Sequence, residues 1–571
     1  MFLPTTKEEL NKLGWKKLDV IIVSGDTYID SSYAGAAVIG KVLLDAGYKV
    51  GIIAQPDIRS SRDVTRLGEP ELFWGVTSGC VDSMVANFTA SKKRRRQDDF
   101  TPGGVNDKRP DRAVIIYSNL IRQYFKNTKP IVLGGIEASL RRVVHYDYWE
   151  DKIRRSILFD AKADILVYGM GELQILEIAD RLADEKPCEG SITFASLENI
   201  RGICYISKTP TEGYIHLPSF NQVAEDKKKF TEMFHTFYQN NDPVIAKGLC
   251  QQHGDRYLIQ NPPARNLTQK EIDKIYNLDY ERDVHPYYKK EGEVRAMDTI
   301  RFSITTHRGC YGECNFCAIS VHQGTAITSR SEQSIITEAK LIVRDPGFKG
   351  YIQDVGGPTA NMYATGCDKM QTHGICLKKD CVFPTTCKNL NYNHRPQIEL
   401  LRKLRKIEGV KKVFVASGIR YDMILDDKES GDEYLHELID HHISGQLKIA
   451  PEHTEANVLN LMRKPGTRYL TEFKKRFDRI NAKQKKNQFL TYYLIAAHPG
   501  CDIENEIKMK QFVSRELHIH PEQVQIFTPT PSTYSTLMYY TEMNPWTGEK
   551  LFVEKNIGGK EKEKRILTNK W

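Results

Sequence analysis

Three closely spaced cysteines are the residues of this sequence best suited to do chemistry. Cys310, Cys314 and Cys317 stand in the segment His307-Arg-Gly-Cys-Tyr-Gly-Glu-Cys-Asn-Phe-Cys-Ala318. Thiolates at C-x3-C-x2-C spacing can ligate three irons of a cubane and leave the fourth iron without a protein ligand. That open iron is a binding site for another molecule. The spacing therefore predicts a 4Fe-4S cluster that is also a reaction centre.

Two other sites fit the same residues. One is a zinc site with His307 as the fourth ligand, and the other is an electron-transfer cluster that lacks its fourth cysteine. Zinc sites usually pair their ligands as C-x2-C with a distant second pair, and a lone C-x3-C-x2-C does not fit that pattern. The open cluster is the preferred interpretation.

The motif resembles that of the radical S-adenosylmethionine superfamily. This resemblance implies that the amino and carboxylate groups of S-adenosylmethionine occupy the open iron, and that Phe316 packs against its adenine. Gly356, Gly357 and Pro358 follow the next predicted strand and are similar to the Gly-Gly-Glu element that holds the methionine amino group. Because Pro358 replaces the acid, that contact would come from backbone groups or from Asp354.

Four charged or polar residues at later strand ends complete the candidate cosubstrate site. Arg420 or Lys448 could pair with the methionine carboxylate, and Glu452 or His453 could reach the ribose. Charge-assisted pairs are the strong ones in a closed site. A salt-bridged Arg or Lys at the rim of a barrel is an equally good account of the two cations.

A second set of cysteines follows the Gly-Gly-Pro element. Cys367, Cys376, Cys381 and Cys387 could hold a tetrahedral zinc ion or a second iron–sulfur cluster, or could be unliganded thiols. Their C-x8-C-x4-C-x5-C spacing matches neither common zinc pattern, which favours iron.

The triad needs a scaffold, and the second half of the chain predicts one. Six apolar runs alternate with helical patterns, which indicates a partial six-stranded β/α barrel with its active site where the strands end. The runs are Phe302–Thr305, Tyr351–Val355, Val413–Ala416, Leu447–Ala450, Phe489–Ala497 and Val524–Phe527.

The first half also predicts alternating strands and helices. Continuous apolar runs separated by helices are typical of a parallel sheet covered on both faces, so we expect an α/β, Rossmann-like or flavodoxin-like domain. The predicted strands are Leu18–Val23, Val50–Ala54, Ala113–Tyr117, Ile131–Gly135 and Ile165–Gly169. We expect this domain over residues 1–205, a connector over 206–290, the barrel over 291–555 and a charged, disordered tail over 556–571.

Nearly the whole chain resembles the YgiQ family of radical S-adenosylmethionine proteins. The resemblance implies an N-terminal domain similar to cobalamin-binding folds, followed by a radical core, and it supplies no substrate. The loop Ser24–Ser32 contains no histidine to ligate cobalt, so we expect no cobalamin. The segments that carry the resemblance are Gly51–Pro56, Thr101–Gly104, Lys108–Ala113, Leu133–Arg142, Gly356–Tyr363 and Lys448–Pro451.

Composition limits location and partners. The 571 residues include 82 Lys and Arg against 73 Asp and Glu, which is a mild basic excess. No secretory leader or membrane-spanning run is evident, so we expect a cytoplasmic protein with reduced thiols. The basic run Lys92–Arg96 predicts a surface loop, and a contact with RNA stays open.

These inferences converge on an enzyme that binds a 4Fe-4S cluster and cleaves S-adenosylmethionine reductively. The resemblance implies that an electron donor such as a flavodoxin or a ferredoxin reduces the cluster. One alternative is an RNA- or ribosome-modifying enzyme similar to the methylthiotransferases. Another is an iron–sulfur sensor that does no catalysis.

Overall fold

The structure is a computed structural model that describes residues 1–184 and 197–569. The chain divides into two compact units. The first comprises Met1–Arg265 and Lys274–Arg301, and the second comprises Asn266–Asp273 and the chain from Phe302 onward.

Strands and short helices alternate through the first unit. Strands β1 to β13 are Val20–Ser24, Ile29–Asp30, Val50–Ala54, Phe73–Thr77, Ile131–Gly134, His145–Asp147, Lys152–Arg154, Ile165–Val167, Ile203–Ser207, Ile215–Leu217, Leu249–His253, Arg256–Gln260 and Asp283–Val284. Helices α1 to α12 are Lys7–Lys12, Gly35–Asp45, Ser83–Asn87, Ala113–Tyr124, Gly135–Leu140, Ile157–Asp160, Glu172–Asp184, Phe220–Glu225, Lys227–Gln239, Gln269–Tyr276, Pro286–Lys289 and Met297–Ile300. Helix α10 begins in the segment that belongs to the second unit and ends in the first.

A nine-stranded sheet organises the first unit, in the order β10-β11-β12-β9-β8-β5-β4-β1-β3. Five of its strands, β3-β1-β4-β5-β8, are parallel and follow the order 2-1-3-4-5 of flavodoxin-like sheets. Every residue of β1 and β3 is buried, because helices cover both faces of a parallel sheet. The predicted α/β class is confirmed.

Two details of this unit differ from the sequence-based expectation. The run from Ala113, predicted as a strand, is the start of helix α4. Its buried residues recur at helical spacing, and a short β-branched run does not distinguish a strand from a buried helix turn. Strands β10, β11 and β12 lie within the predicted connector and extend the sheet instead of leaving it.

The second unit contains strands β14 to β22 and helices α13 to α23. The strands are Ser303–Thr305, His307–Arg308, Thr328–Ser329, Tyr351–Ile352, Asp354–Gly356, Lys412–Val413, Gln446–Glu452, Phe489–Ala496 and Gln525–Ile526. The helices are Ile319–Gln323, Glu332–Val343, Asp368–His373, Arg395–Arg405, Tyr421–Asp426, Gly431–Glu437, Ala456–Met462, Thr467–Lys483, Ile503–Phe512, Tyr534–Thr541 and Ile557–Thr568.

Parallel pairing joins these strands in chain order. β14 pairs with β18, β17 with β19, and β20 with β21, which pairs with β22. A parallel bridge between Ile419, which follows β19, and Ile449 on β20 connects the third and fourth barrel strands. Side chains alternate between two faces along each strand, and Ile304, Val355 and Leu447 belong to one buried apolar core. The partial six-stranded barrel is the predicted one.

The predicted disordered tail is wrong in this structure. Asn556 caps helix α23 with its side chain, which accepts from the backbone N–H groups of Gly558 and Gly559. Lys560, Glu563 and Leu567 are buried one helical turn apart. The composition of the segment is charged, but its buried stripe packs against the barrel. Within the described residues, no helix is long and apolar enough to cross a bilayer.

Candidate active site

The three cysteines lie on the loop between β15 and α13, directly after the first barrel strand. Backbone hydrogen bonds close this loop, from Cys310 N to Gly324 O at 3.1 Å and from Cys317 N to Cys314 O at 2.9 Å. Gly309 has a φ of 88°, and a Cβ there would lie 2.1 Å from the carbonyl oxygen of Ala326. The tight turn into the triad therefore requires glycine.

Gly312 leaves space between two of the thiols. A Cβ at this position would lie 3.2 Å from Cys310 Sγ, 4.0 Å from Cys314 Sγ and 3.0 Å from Arg420 Nη1. The thiols and the guanidinium thus surround a volume that any larger residue would enter. All three triad cysteines are free thiols.

Burial opposes ionisation of the Cys310 and Cys317 thiols. It raises the pKa of Cys310, and burial followed by the neighbouring Cys314 raises the pKa of Cys317 to about 12. Thiolates need a compensating positive charge in such a place, and ligated iron supplies one. Thr359, whose hydroxyl lies 3.5 Å from Cys310 Sγ, was not identified from the sequence because no motif marks it.

The thiols of each set are not gathered as closely as the sulfur ligands of a single ion would be. Zn–S bonds of about 2.3 Å would place sulfurs roughly 3.8 Å apart. Within the described residues no three thiol sulfurs of the triad or of the second set lie within 4.8 Å of one another. A cubane binds each thiolate to a different iron and so holds them farther apart. Within the described residues, His307 does not form a compact group with the triad thiols either.

The Gly-Gly-Pro element lies beside the same loop. Gly356 O accepts hydrogen bonds from the Thr306 backbone at 2.7 Å and from the Thr306 hydroxyl at 3.1 Å. A Cβ on Gly357 would lie 2.6 Å from Cε1 of the buried His307 ring. Gly357 and Pro358 are half-buried. Because they have no side chains, the glycines allow the end of β18 to approach His307 closely.

Asp354 has another task than the one predicted for it. Its Oδ1 accepts from the backbone N–H groups of Ala416 at 2.8 Å and Ser417 at 3.1 Å, and its Oδ2 accepts from the Ser417 hydroxyl. The carboxylate holds the end of the third barrel strand against the second. Backbone groups of the Gly-Gly-Pro element are the remaining candidates for the methionine amino group.

The two candidate cations differ in their surroundings. Buried Arg420 is paired with Asp422, with Nη2 2.5 Å from Oδ2, and its Nη1 lies toward Gly312. Lys448 is half-buried on β20, on the opposite strand face from the core residues Leu447 and Ile449. Lys448 has no ion-pair partner in the described part of the chain.

Glu452 ends β20 in an unusual conformation. Its φ of 68° is in the left-handed region, and the pairing with β21 is irregular between Ile449 and Glu452. Burial raises the pKa of Glu452, and its charge is one of the influences that raise the pKa of Cys317. Strained residues of this kind cluster at functional sites. The structure brings Glu452 toward the triad.

Phe316 and Asn315 precede the third cysteine. Phe316 is half-buried, so its ring is partly open to a ligand. Asn315 is buried and connects the loop to helices α19 and α22. Its side-chain amide donates to Leu461 O at 2.7 Å, and its backbone carbonyl accepts from Ser535 N at 2.9 Å. These partners lie more than a hundred residues away in the chain, which is why the sequence did not identify Asn315.

The second set of cysteines gathers beside the triad loop. Burial raises the pKa of Cys381 to about 12, and the charges of Glu313, Cys367, Cys387 and Cys376 contribute. Tyr311 lies close to both Cys310 and Cys381, in an apolar cluster that includes Met362 and Val382. All four thiols are free. The loop therefore folds the four thiols into one neighbourhood.

The basic run in the first unit is a surface loop, as predicted. Arg94 pairs with Asp111 at 3.1 Å, and Arg95 donates to the carbonyls of Val85 and Phe88. Lys92 lies 4.8 Å from the centre of the Tyr148 ring. Several of these cations thus hold the loop in place, and the contact with RNA stays a prediction.

Comparisons with known proteins place the chain in a family. The family model described as Radical SAM N-terminal matches residues 2–303. A UPF0313 protein of Fusobacterium nucleatum is 59% identical over 570 residues, covering 100% of this chain and 99% of the relative. A UPF0313 protein of Thermotoga maritima is 48% identical over 574 residues, with the same shares covered. These matches confirm the family resemblance.

One solved structure is similar in fold. It is the radical S-adenosylmethionine methyltransferase TsrM from Kitasatospora setae, with cobalamin and a [4Fe-4S] cluster bound. The TM-score is 0.51 at 13% identity, over 90% of this chain and 73% of that chain. The expectation that cobalamin is absent is contradicted by this likeness to a cobalamin-bound enzyme. That expectation depended on a missing cobalt-ligating histidine, and a domain can hold its ligand by other contacts.

Proposed function

The chain belongs to the UPF0313 family and carries its Radical SAM N-terminal region, and from this premise we propose that it is a radical S-adenosylmethionine enzyme. Cys310, Cys314 and Cys317 would hold a 4Fe-4S cluster at the end of the first barrel strand. When bound, the cluster would supply one electron to the sulfonium, whose carbon–sulfur bond breaks to give methionine and a 5′-deoxyadenosyl radical.

The residues around the triad have distinct roles in this proposal. Backbone groups of Gly356 and Gly357 receive the methionine amino group, and Lys448 pairs with its carboxylate. Glu452 lies where it can accept from the ribose, and Phe316 covers the adenine. Arg420, fixed by Asp422, places a permanent positive charge near the thiolates. Burial of the loop keeps water from the reacting carbon.

The arrangement of the thiols carries the proposal. Cys310 and Cys314 converge on the space that Gly312 leaves open, and no fourth thiol belongs to this loop. The test is anaerobic reconstitution with iron and sulfide, reduction with dithionite and assay of 5′-deoxyadenosine. Wild type should form the product and Cys314→Ala should not. Equal product from both proteins would refute the proposal, and Cys204→Ala, a buried cysteine of the first unit, is the matched control.

The second set of cysteines is proposed to hold an additional iron–sulfur cluster. Cys381 lies within electrostatic reach of the other three thiols and of Glu313 on the triad loop. Tyr311 lies close to a thiol of each set, so a second cluster would lie near enough to pass electrons to the first. An external donor such as a flavodoxin or a ferredoxin would then reduce the protein.

Cobalamin-dependent chemistry is a second candidate function. The parallel strands of the first unit have the order 2-1-3-4-5, and a structure of similar fold holds cobalamin. Equilibrium dialysis of the full chain against hydroxocobalamin tests this candidate. Stoichiometric binding with an altered cobalamin spectrum supports it, and no retention above that of bovine serum albumin refutes it.

A further inference from the structure

A buried group of donor atoms lies in the second unit, apart from both cysteine sets. His453 follows β20, Cys501 follows β21, and Glu506 lies on α21. One ligand atom from each of the three lies within 4.8 Å of the other two. Cys501 Sγ is 3.4 Å from His453 Nε2 and 3.3 Å from Glu506 Oε1. All three residues are almost completely inaccessible to solvent.

A second buried carboxylate, that of Glu563, lies near this group. Glu563 on α23 is fully buried, and its charge acts on both Cys501 and Glu506. Neither carboxylate oxygen of Glu563 has a hydrogen-bond partner in the described structure, and Oε2 of Glu506 has none either. A buried carboxylate without a hydrogen-bond partner is strongly disfavoured in its charged form. Something with positive charge would complete this arrangement.

We propose that His453, Cys501 and Glu506, with the carboxylate of Glu563 nearby, bind one divalent cation, and that zinc is the cation this donor set favours. A thiolate, an imidazole and carboxylates are the ligands that zinc takes in proteins, with about four in a closed structural site. Oε2 of Glu506 has no hydrogen-bond partner and is available as a ligand atom, and the nearby Glu563 carboxylate adds negative charge. None of the proposed ligands is a residue to which the proposed radical function assigns a role.

The electrostatics of the metal-free protein agree with this assignment. Burial raises the pKa of Glu506 to about 7 and that of Glu563 to about 8. Burial, with the charges of Glu506 and Glu563, also raises the pKa of the Cys501 thiol well above its usual value. Burial thus opposes the loss of a proton from each of these groups, and a cation that binds to them should displace protons.

One hydrogen bond has to change when the cation binds. His453 Nδ1 accepts from the Glu455 backbone N–H at 3.0 Å, so the neutral ring carries its proton on Nε2. A ring that ligates through Nε2 carries that proton on Nδ1 instead. Binding thus opens the contact with Glu455, which makes His453 the weakest of the proposed ligands.

The test is metal analysis of the full chain reconstituted anaerobically with iron and sulfide, then given zinc and dialysed. Wild type should retain about one zinc per chain. Cys501→Ser and Glu506→Gln should each retain at most about one tenth of the zinc that wild type retains, and their iron content should be unchanged. Cys250→Ser, a buried cysteine of the first unit, is the control that should retain zinc. Full zinc retention by Cys501→Ser overturns the proposal.

A second measurement decides the matter if the variants do not fold. Wild type is loaded with cobalt(II) in place of zinc after its iron–sulfur centres have been reconstituted. A thiolate-to-cobalt charge-transfer band and a rise in the melting temperature are the expected results. Wild type that holds less than about a tenth of an equivalent of either metal refutes the site. Loss of 5′-deoxyadenosine formation with zinc retained would refute only the radical function.

Discussion

The side-chain amide of Asn315 donates to the carbonyl oxygen of Leu461 across 2.7 Å, and this bond fixes the loop that carries the three cysteines. Leu461 lies near the end of α19, which follows the fourth barrel strand. The triad is therefore held by an element from the opposite side of the barrel, in addition to its own strand.

Removal of this bond should loosen the triad. Asn315→Ala leaves a buried carbonyl without its donor, which costs about 1–3 kcal/mol. We expect a lower melting temperature and slower formation of 5′-deoxyadenosine, with near-normal iron content because the thiols remain. Asn457→Ala, at an exposed position on the same helix, is the control. Unchanged activity and stability in Asn315→Ala would contradict the positioning role.

Gly357→Ala should disturb the cosubstrate site. The new methyl group would lie 2.6 Å from Cε1 of the His307 ring, so the ring or the strand end has to move. We expect weaker binding of S-adenosylmethionine, measured by equilibrium dialysis, while the cluster assembles normally. Gly466→Ala has open space at its Cβ and should bind as wild type does. Equal affinities in the two variants would show that Gly357 has no part in binding.

Lys448 is expected to recognise the methionine carboxylate. A charge-assisted hydrogen bond contributes about 1.5–3 kcal/mol, so Lys448→Ala should weaken S-adenosylmethionine binding about tenfold or more. Lys448→Arg should recover part of this loss because it restores the charge. The control is Lys412→Ala, an exposed lysine on a neighbouring strand. If Lys448→Ala binds S-adenosylmethionine normally, the carboxylate has another partner.

The second cysteine set should account for about half of the iron. We expect about eight irons per reconstituted wild-type chain and about four after Cys367, Cys376, Cys381 and Cys387 are all changed to Ala. Dithionite-driven cleavage of S-adenosylmethionine should survive, because the triad is intact. Changing Cys204 and Cys250 together to Ala is the control. Iron and zinc contents equal to those of wild type would exclude a metal at the second set.

His253 should make the first unit sensitive to acid. Burial, and then the charge of Arg155, lowers the pKa of His253 to about 3, and its ring stacks on Phe159 with centres 4.5 Å apart. The unfolded chain binds this proton near pH 6.5, so the stabilising contribution is present above that pH and is lost as pH falls toward 3. The contribution lost by pH 5 is about 2 kcal/mol.

Replacement by phenylalanine isolates this effect. His253→Phe keeps the stacking and removes the proton site, so its unfolding free energy should fall less than that of wild type between pH 7 and 5, as measured by urea titration. His216→Phe, at an exposed histidine on a nearby strand, should behave as wild type does. Parallel pH profiles of the unfolding free energy for His253→Phe and wild type would contradict the lowered pKa of His253.

Local sequence patterns predicted those parts of the fold that depend on residues close together in the chain. The C-x3-C-x2-C loop, the glycines after the second strand and the six barrel strands were all identified, because spacing and apolar runs determine them. Asp354 shows the limit of such patterns. Its carboxylate holds Ser417, a partner set by tertiary packing, so its nearness to the Gly-Gly-Pro element was misleading.

The predicted helices and strands were wrong where the spacing of apolar residues fits both a helix and a strand. The run from Ala113 contains β-branched residues and is a helix, whereas β4, Phe73–Thr77, was not predicted. Thr359, Asn315 and Glu563 also escaped notice, because each matters through a partner distant in sequence. The same reason hid the group around Cys501, whose members come from three separate elements.

The packed helix Ile557–Thr568 matters for anyone who shortens this protein. Lys560 donates to the Tyr539 hydroxyl at 2.9 Å, and Leu567 is fully buried, so helix α23 is part of the folded second unit. A charged C-terminal segment is the usual first choice for trimming before crystallisation. Here such trimming would remove the buried side chains of Lys560, Glu563 and Leu567 and expose the residues that α23 covers, which should lower solubility.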